Sequence, residues 1–448
     1  MTGASPTAEP APAVSPLAAT AIVVADMIGI GVFTSLGFQV TDIPSGLTVL
    51  LLWLVGGVVA LCGALCYAEL ATMFPRSSGE YNLLTRIYSP AIGFMAGWLS
   101  ATVGFAAPVA LAAMALGQYG RAVLPGAPPL LLGFAAIWIV TFVHLRGTRH
   151  SSVFQIGFTL LKLALIAAFI GVGFAGGGGP AISFAPGAFD PAQIVSASFA
   201  INLVFVMYAY SGWNAATYIV GELADPPRSL PRALLVGTSI VVVLSIALNA
   251  VFLVTTPLAE LAGQIEVAVI AGRHVFGEAG GRIVGGLICA GLLPTISAMM
   301  WIGPRVTVAM GEDVPALRLF AGRSRRGVPV AALLLQAGVA TVLLFTQSFE
   351  AVLDFIQFGL ILCSFLTVIG LIKLRITFPD QPRPFRTWGY PITPLIFLAV
   401  TLFMLVHLVT ARPLQSLAGL LLMLVGLVLY RLVTARERRK VRMAPPPR

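Results

Sequence analysis

The stretch Asp26 to Ser35 combines a carboxylate with a Gly29-Ile30-Gly31 step, inside an apolar run (residues 17–38) long enough to cross a bilayer. Glycine weakens a helix interior by about 1 kcal/mol relative to alanine, so we predict an interrupted helix here. Backbone groups freed by an interruption are tolerated in a membrane only where they line a cavity or are buried in protein. The N–H groups that begin a half-helix attract anions, and the carbonyl groups that end one attract cations. These residues therefore have the chemistry to hold a small charged ligand.

A second interruption is predicted at residues 208–213, with the sequence Tyr-Ala-Tyr-Ser-Gly-Trp. It also lies near the middle of an apolar run, and it brings three aromatic rings to the break. Such rings either cover a ligand or fill the bundle and anchor an interface.

Lys162 is a second candidate for charge chemistry, because it stands in the middle of an apolar segment of a chain with only three lysines. A lone ammonium inside a membrane is costly and suggests a function. It could exchange a proton or act as a fixed brace, and both readings stay open. Asp26, one turn before the first break, could take part in proton coupling, pair with a polar neighbour or lie near water.

The composition identifies the class of protein that carries these residues. Of 448 residues, 58% are hydrophobic and 10% are charged, whereas a soluble domain has about 25% charged residues. We predict an all-α polytopic membrane protein. The four cysteines all fall in apolar segments, so neither a disulfide framework nor a metal site is indicated. No phosphate-binding loop or catalytic constellation is found, so neither a cofactor nor an enzymatic activity is expected.

Hydropathy predicts twelve transmembrane spans: 17–38, 46–72, 91–118, 129–143, 152–174, 193–220, 233–255, 283–310, 328–345, 349–371, 391–409 and 414–433. Most basic residues fall in alternate loops, whereas the opposite side has only Arg121, Arg273, Arg282 and Arg412. This bias predicts a multi-pass protein of the cell inner membrane with both termini in the cytosol. The same bias explains the net charge of +10, because the basic residues mark the cytosolic loops. No nucleic-acid partner is therefore expected.

The two interruptions fall in spans 1 and 6, which suggests an internal repeat. We predict a first five-helix repeat at 17–175, a second, inverted one at 193–372, and helices 11 and 12 at 391–433. Residues 1–16 are predicted to be a disordered cytosolic tail, and residues 434–448 a basic cytosolic tail. Interrupted helices at corresponding positions of inverted repeats indicate the substrate site of a transporter.

Short motifs in the same order give the chain a family resemblance. They are Gly29-Ile30-Gly31-Val32-Phe33, Tyr67-Ala68-Glu69-Leu70, Phe74-Pro75-Arg76-Ser77-Ser78-Gly79-Glu80-Tyr81, residues 208–214, Gly221-Glu222-Leu223, Leu230-Pro231-Arg232-Ala233 and Arg383-Pro384-Phe385-Arg386. The chain resembles the amino acid–polyamine–organocation superfamily, near the bacterial relatives of the L-type amino acid transporters. That family's leucine-transporter-like fold, five plus five inverted spans and two more, agrees with the hydropathy count.

The resemblance implies roles for residues at both breaks. Ile30, Gly31 and Val32 would hold the substrate carboxylate, and Tyr208, Ala209 and Ser211 would face its amino group. Tyr208 would be the gate, with Trp213 as a second gating or contact residue. The alternative for the glycines is close helix packing.

The resemblance also implies that Lys162 occupies the place of sodium in sodium-coupled relatives, between spans 1, 5 and 8. It would either relay a proton or brace the span 1 carbonyls to span 8 near Ser297. We therefore expect coupling to protons, through Lys162, Asp26 and Ser297, and independence of sodium.

The expected function is secondary active transport of a neutral L-amino acid by alternating access. Neutral substrates are favoured because spans 3, 6, 8 and 10, expected to line the side-chain pocket, carry no Asp or Glu in their middle portions. The alternatives are an obligatory exchanger, a cationic amino acid or polyamine permease, or a channel.

Two further expectations concern ion pairs and partners. Glu69, Glu80 and Glu222 lie near the cytosolic ends of the spans, beside Arg76, Arg86 and Arg228. We predict that they form inner-gate or structural ion pairs there. The expected partners are the amino acid, a proton and the lipid bilayer. No heavy-chain subunit is expected, because the external loop 119–128 lacks the cysteine that links one in some animal relatives.

Overall fold

The structure is a computed structural model that describes residues 14–147, 149–176 and 191–443. Within these ranges the regular elements are helices. The α-helices are α1 (Pro16–Met27), α2 (Gly31–Asp42), α3 (Gly46–Met73), α4 (Glu80–Ile87), α5 (Pro90–Leu99), α6 (Ala106–Val123), α7 (Pro129–Leu145), α8 (Arg149–Ala175), α9 (Ala197–Ala209), α10 (Pro226–Thr255), α11 (Leu258–Leu261), α12 (Val267–Asp313), α13 (Arg318–Ala321), α14 (Val330–Phe345), α15 (Phe349–Thr377), α16 (Ile392–Ala411) and α17 (Pro413–Met443). Short 3₁₀ helices cover Pro191–Val195, Ala215–Glu222 and Pro315–Leu317, and a π-turn covers Ser100–Gly104.

The all-helical membrane fold predicted from composition is confirmed. Among the described residues, eight helical segments are long and apolar enough to cross a bilayer. In this count α1 and α2 form one segment, and α5 and α6 form another. Four shorter apolar helices accompany them: Pro129–Leu145, Thr159–Ala175, Ala197–Ala209 and Val330–Phe345. The total of twelve spans and the inverted repeat remain predictions.

Both predicted helix interruptions are present. The first helix ends at Met27, and α2 begins at Gly31, so residues 28–30 lie between the two helices. In the second break α9 ends at Ala209, and the chain turns through Gly212 at φ 98° before the 3₁₀ segment. A positive φ of this size favours glycine, because a side chain would clash with its own backbone.

Several boundaries differ from the sequence prediction. A further helix precedes span 8, because the run Val267–Asp313 is divided by a kink at Gly277, whose φ of 74° is not helical. The helix α17 continues to Met443, so the predicted basic tail from 434 begins in helical conformation. The N-terminal tail is structured from Val14, whose N–H donates to the Glu222 carbonyl at 2.8 Å. The rest of both predicted tails, residues 1–13 and 444–448, lies outside the described residues.

Polar contacts anchor the half-helix α2 that follows the first break. Its Gln39 accepts a hydrogen bond from the Trp53 indole of α3 at 3.0 Å. Its Ser35 hydroxyl donates to the Phe205 carbonyl of α9 at 3.3 Å, and the Tyr119 hydroxyl of α6 lies 3.0 Å from the Phe33 carbonyl oxygen. The half-helix is therefore held by three neighbouring helices.

A buried acid fixes the packing of α3 against α15 and the segment before α16. Glu69 is fully buried, and its carboxylate accepts hydrogen bonds from the Arg375 guanidinium at 2.6 and 3.0 Å. Arg383 lies 3.3 Å away, and the Thr387 N–H donates to Glu69 at 2.7 Å. The predicted pairing of Glu69 with a nearby loop arginine is therefore wrong. Its partners are two arginines from a distant part of the chain.

We expect Glu69→Ala to destabilise the protein by about 3–5 kcal/mol, because it leaves two largely buried cations without their anion. The midpoint of thermal unfolding in detergent measures the loss. Glu278→Ala is the control, since that acid is 79% exposed beside Arg273, and an exposed pair contributes below about 1 kcal/mol. Equal midpoints for the two variants would contradict the structural role of Glu69.

Candidate functional site

The two interrupted helices meet at their breaks. A Cβ added to Gly31 would lie only 2.5 Å from the Cα of Ala209, so the start of α2 abuts the end of α9. A cavity of about 10 Å³ lies at this junction, which is space for roughly one water molecule. It is lined by Ile30, Gly31, Tyr208, Ala209 and Ser211 among others. Val32, the sixth predicted binding residue, is buried beside it and does not line it.

The backbone groups at this junction have complementary charge. On the α2 side, the N–H groups of Ile30, Gly31 and Val32 have no backbone acceptor in the described chain. On the α9 side, the carbonyls of Ala209 and Ser211 accept no hydrogen bond from backbone N–H groups of the described residues. An anion and a cation can therefore be held side by side at this junction.

Tyr208 contributes to the junction through its ring rather than its carbonyl. Its carbonyl already accepts a hydrogen bond from the Ser211 N–H at 2.9 Å. The ring lies edge-on to Phe349, with centroids 6.3 Å apart. Phe38 stacks on both Phe205 and Phe349 at 5.1 and 6.0 Å. These four rings cover the junction on the side away from the N terminus.

Trp213 lies on the other side of the junction, toward the N terminus. Its ring packs edge-on against Tyr67 at 4.8 Å and against Phe397 at 6.0 Å. It lines a second cavity of about 100 Å³. Tyr208 and Trp213, the two predicted gate residues, therefore stand on opposite sides of the junction.

This second cavity, which we call the acidic cavity, adjoins the first one. The two share Asp26, Pro108, Ser211 and Met299 as lining residues. Most of its walls come from the predicted spans 3, 6, 8 and 10, and Phe397 and Thr401 of α16 complete them. Two carboxylates, Asp26 and Glu80, also line it. The sequence argument for neutral substrates does not include these two acids, because it considers only the middle portions of spans 3, 6, 8 and 10.

Lys162 joins the end of α1 to α12. Its Nζ donates to the Ile28 carbonyl at 2.6 Å, lies 3.5 Å from the Ala25 carbonyl oxygen, and is hydrogen-bonded to the Thr295 hydroxyl. The side chain runs against Gly291 of α12. The ammonium thus contacts two of the carbonyls that the first break leaves free.

Ser297, the predicted partner of Lys162 on span 8, is hydrogen-bonded to a different helix. Its hydroxyl lies 2.9 Å from His144 Nε2 of α7. Residues two apart on a helix face different sides, so Thr295 and Ser297 cannot both face α1. The sequence pattern alone gave no reason to prefer Thr295.

Asp26 packs against the second break. Only 4% of the residue is exposed, and a Cβ on Gly212 would lie 2.7 Å from Asp26 Oδ2. Its other oxygen, Oδ1, is buried without a hydrogen-bond partner among the described residues. Asp26 therefore lies between the two breaks and carries a free acceptor.

Ion pairs hold the helix ends on the side of the N terminus. Arg76 makes a two-pronged contact with Asp313 at 2.8 and 2.9 Å, and this hydrogen bonding raises the pKa of Arg76. Glu222 binds Arg305 at 2.6 Å and Glu80 binds hydroxyl groups, so the predicted pairings with Arg76, Arg86 and Arg228 are wrong. The pairing partners come from helices that are distant in sequence.

We expect Gly31→Ala to weaken amino acid binding by at least about tenfold, because its Cβ collides with the Ala209 backbone and pushes the two breaks apart. Binding to the purified protein measures this effect. Gly338→Ala is the control, since a Cβ there meets no atom within 4 Å. Unchanged binding in Gly31→Ala would rule out the close approach as part of the site.

Comparison with known proteins agrees with this geometry. A family model described as "Amino acid permease" matches residues 14–430. The b(0,+)-type amino acid transporter 1 of Mus musculus is 28% identical over 92% of this chain and 86% of its own length. The Asc-type amino acid transporter 1 of Mus musculus is 26% identical, and the large neutral amino acids transporter small subunit 2 of Oryctolagus cuniculus is 28% identical. Each of these two alignments covers 92% of this chain and 79% of the relative.

Proposed function

Because the chain belongs to the amino acid permease family, we propose that it is a secondary active transporter, not an enzyme, that carries an L-amino acid by alternating access. The observation that carries this proposal is the meeting of the two helix breaks. Free N–H groups at Ile30, Gly31 and Val32 suit the α-carboxylate, and free carbonyls at Ala209 and Ser211 suit the α-amino group. An α-amino acid is the simplest ligand that carries both charges side by side.

The closed state of the junction supports alternating access. The small cavity is far below the roughly 300 Å³ of an ordinary ligand pocket, so the substrate enters only if the helices separate. The rings around Tyr208 would open on one side, and Trp213 with the ion pairs at Arg76 and Glu222 would open on the other. A permanently open channel would have neither barrier.

Neutral amino acids are the substrates proposed from the sequence, and one relative is named for large neutral amino acids. Sodium independence follows from Lys162, because its ammonium already occupies the carbonyls that would bind a cation. Proton coupling through Lys162 and Asp26, with Ser297 acting through His144, is the proposed energy source. Obligatory exchange is the alternative, in which Lys162 is a fixed brace.

We further propose that the protein lies in the cell inner membrane with both termini in the cytosol, and that it works without a heavy chain. The loop 119–128 offers no cysteine for such a link. One relative is named a small subunit, so the alternative is a partner held without a disulfide. The molecular mass of the purified particle distinguishes these cases.

We expect labelled neutral L-amino acids to accumulate in proteoliposomes under an inward proton gradient, without sodium and without internal amino acid. A collapsed gradient is the control. Uptake that requires unlabelled amino acid inside would establish the exchanger instead. No uptake of any amino acid under either condition would contradict the proposed function itself.

We expect Lys162→Ala to abolish or uncouple transport while the protein stays folded, because the carbonyls of Ala25 and Ile28 lose their ammonium. Uptake with and without the proton gradient is the measurement, and thermal unfolding checks the fold. Lys373→Ala is a matched control, since that lysine is exposed and contacts the Ile87 carbonyl and the Tyr88 ring. Wild-type uptake and pH dependence in Lys162→Ala would refute the assigned role.

A further inference from the structure

The acidic cavity has an unbalanced set of charged groups. Asp26 and Glu80 line it, and none of its described lining residues is a lysine, arginine or histidine. Both acids are at least 96% buried. Burying a carboxylate costs free energy unless it is paired or fully hydrogen-bonded. A cationic or hydrogen-donating ligand in the cavity would offset this cost.

The two carboxylates have unused acceptor atoms. Asp26 Oδ1 has no hydrogen-bond partner among the described residues. Glu80 receives hydrogen bonds from the Tyr67 hydroxyl at 2.5 Å and the Ser364 hydroxyl at 2.9 Å. Both hydroxyls donate to Oε1, so Oε2 accepts no hydrogen bond from the described residues. One oxygen on each acid is therefore available to a donor.

The backbone holds Glu80 in this position. Gly79 has φ 52°, and a Cβ there would lie 2.1 Å from the Tyr218 ring. This close approach brings the first residue of α4 against the 3₁₀ segment that follows the second break. Tyr218 lines the same cavity as Glu80 and Asp26, so the two acids belong to one site.

Lys162 does not neutralise the cavity. It lies near enough to Asp26 for electrostatic attraction, yet no ion pair within 4 Å joins them among the described residues. Its Nζ is directed to the carbonyls of α1 and to Thr295. Glu80 forms no ion pair with a basic side chain in the part of the chain that the structure describes.

The other walls also suit a cation. The rings of Phe105, Trp213 and Tyr218 line the cavity, and aromatic faces attract ammonium and guanidinium groups. Polar atoms of Ser100, Asn214 and Gln357 add acceptors. The cavity adjoins the junction of the breaks through Asp26 and Ser211, so a substrate held at the junction would extend its side chain into it.

We infer that the acidic cavity is a binding site for the ammonium group of a basic amino acid side chain, with Asp26 and Glu80 as its acceptors. This inference rests on the proposed function, because the α-carboxylate and α-amino group must sit at the helix breaks. It extends the substrate range beyond neutral amino acids to L-lysine and molecules of the same chemistry. Asp26 and Glu80 then determine specificity.

The test is a pair of dissociation constants, for L-lysine and L-norleucine, measured on the purified full-length protein by calorimetry. The two ligands differ chiefly in the terminal ammonium. We expect the wild type to bind lysine at least as tightly as norleucine. Asp26→Asn and Glu80→Gln should each shift the ratio toward norleucine by about tenfold, the loss of one hydrogen bond to a charged group.

Glu278→Gln, at an exposed acid outside the cavity, should leave the ratio unchanged. Norleucine binding without lysine binding would overturn the inference and leave the proposed function intact. A ratio unaffected by both variants, or equal loss of both ligands in both variants, would also overturn it, because the acids would then be remote or merely structural. Binding of neither ligand to the wild type would instead contradict the proposed function.

Discussion

A helix that breaks inside a membrane must find partners for the backbone groups it frees, and this constraint shapes the centre of the molecule. The two ends of the first break differ in whether the protein supplies a partner for their backbone groups. The carbonyls of Ala25 and Ile28, at the end of α1, face the ammonium of Lys162. The N–H groups of Ile30, Gly31 and Val32, at the start of α2, have no backbone partner in the described chain. The protein therefore satisfies the cation-binding half of this break itself and leaves the anion-binding half free.

The second break supplies what the first one lacks. Gly31 allows α2 to touch the end of α9, so the free N–H groups face carbonyls that are also free. Neither half alone would distinguish an amino acid from any other small ion. Their contact produces a site with two opposite charges, and Asp26 lies against both halves.

The barriers on the two sides of the junction have different chemistry. Stacked rings of Phe38, Phe205 and Phe349 close the side away from the N terminus, and ion pairs such as Arg76 with Asp313 hold the other. Ring contacts can separate without exposing unpaired charge, whereas a broken ion pair needs water. If transport alternates between these barriers, opening toward the N-terminal side requires hydration of the helix ends.

The sequence by itself determined the helical membrane class and the position of both breaks, because composition, apolar length and glycine steps are local properties. It also identified Lys162 and five residues that line the junction. It could not determine partners across the bundle: Lys162 binds Thr295 rather than Ser297, and Glu69 binds Arg375 and Arg383 rather than a nearby arginine. Such pairs depend on which faces of distant helices are packed together, which periodicity alone does not specify. The acidic cavity is the clearest case, since Glu80 enters it from a short helix outside the four spans expected to line the pocket, and only the tertiary structure brings it beside Asp26.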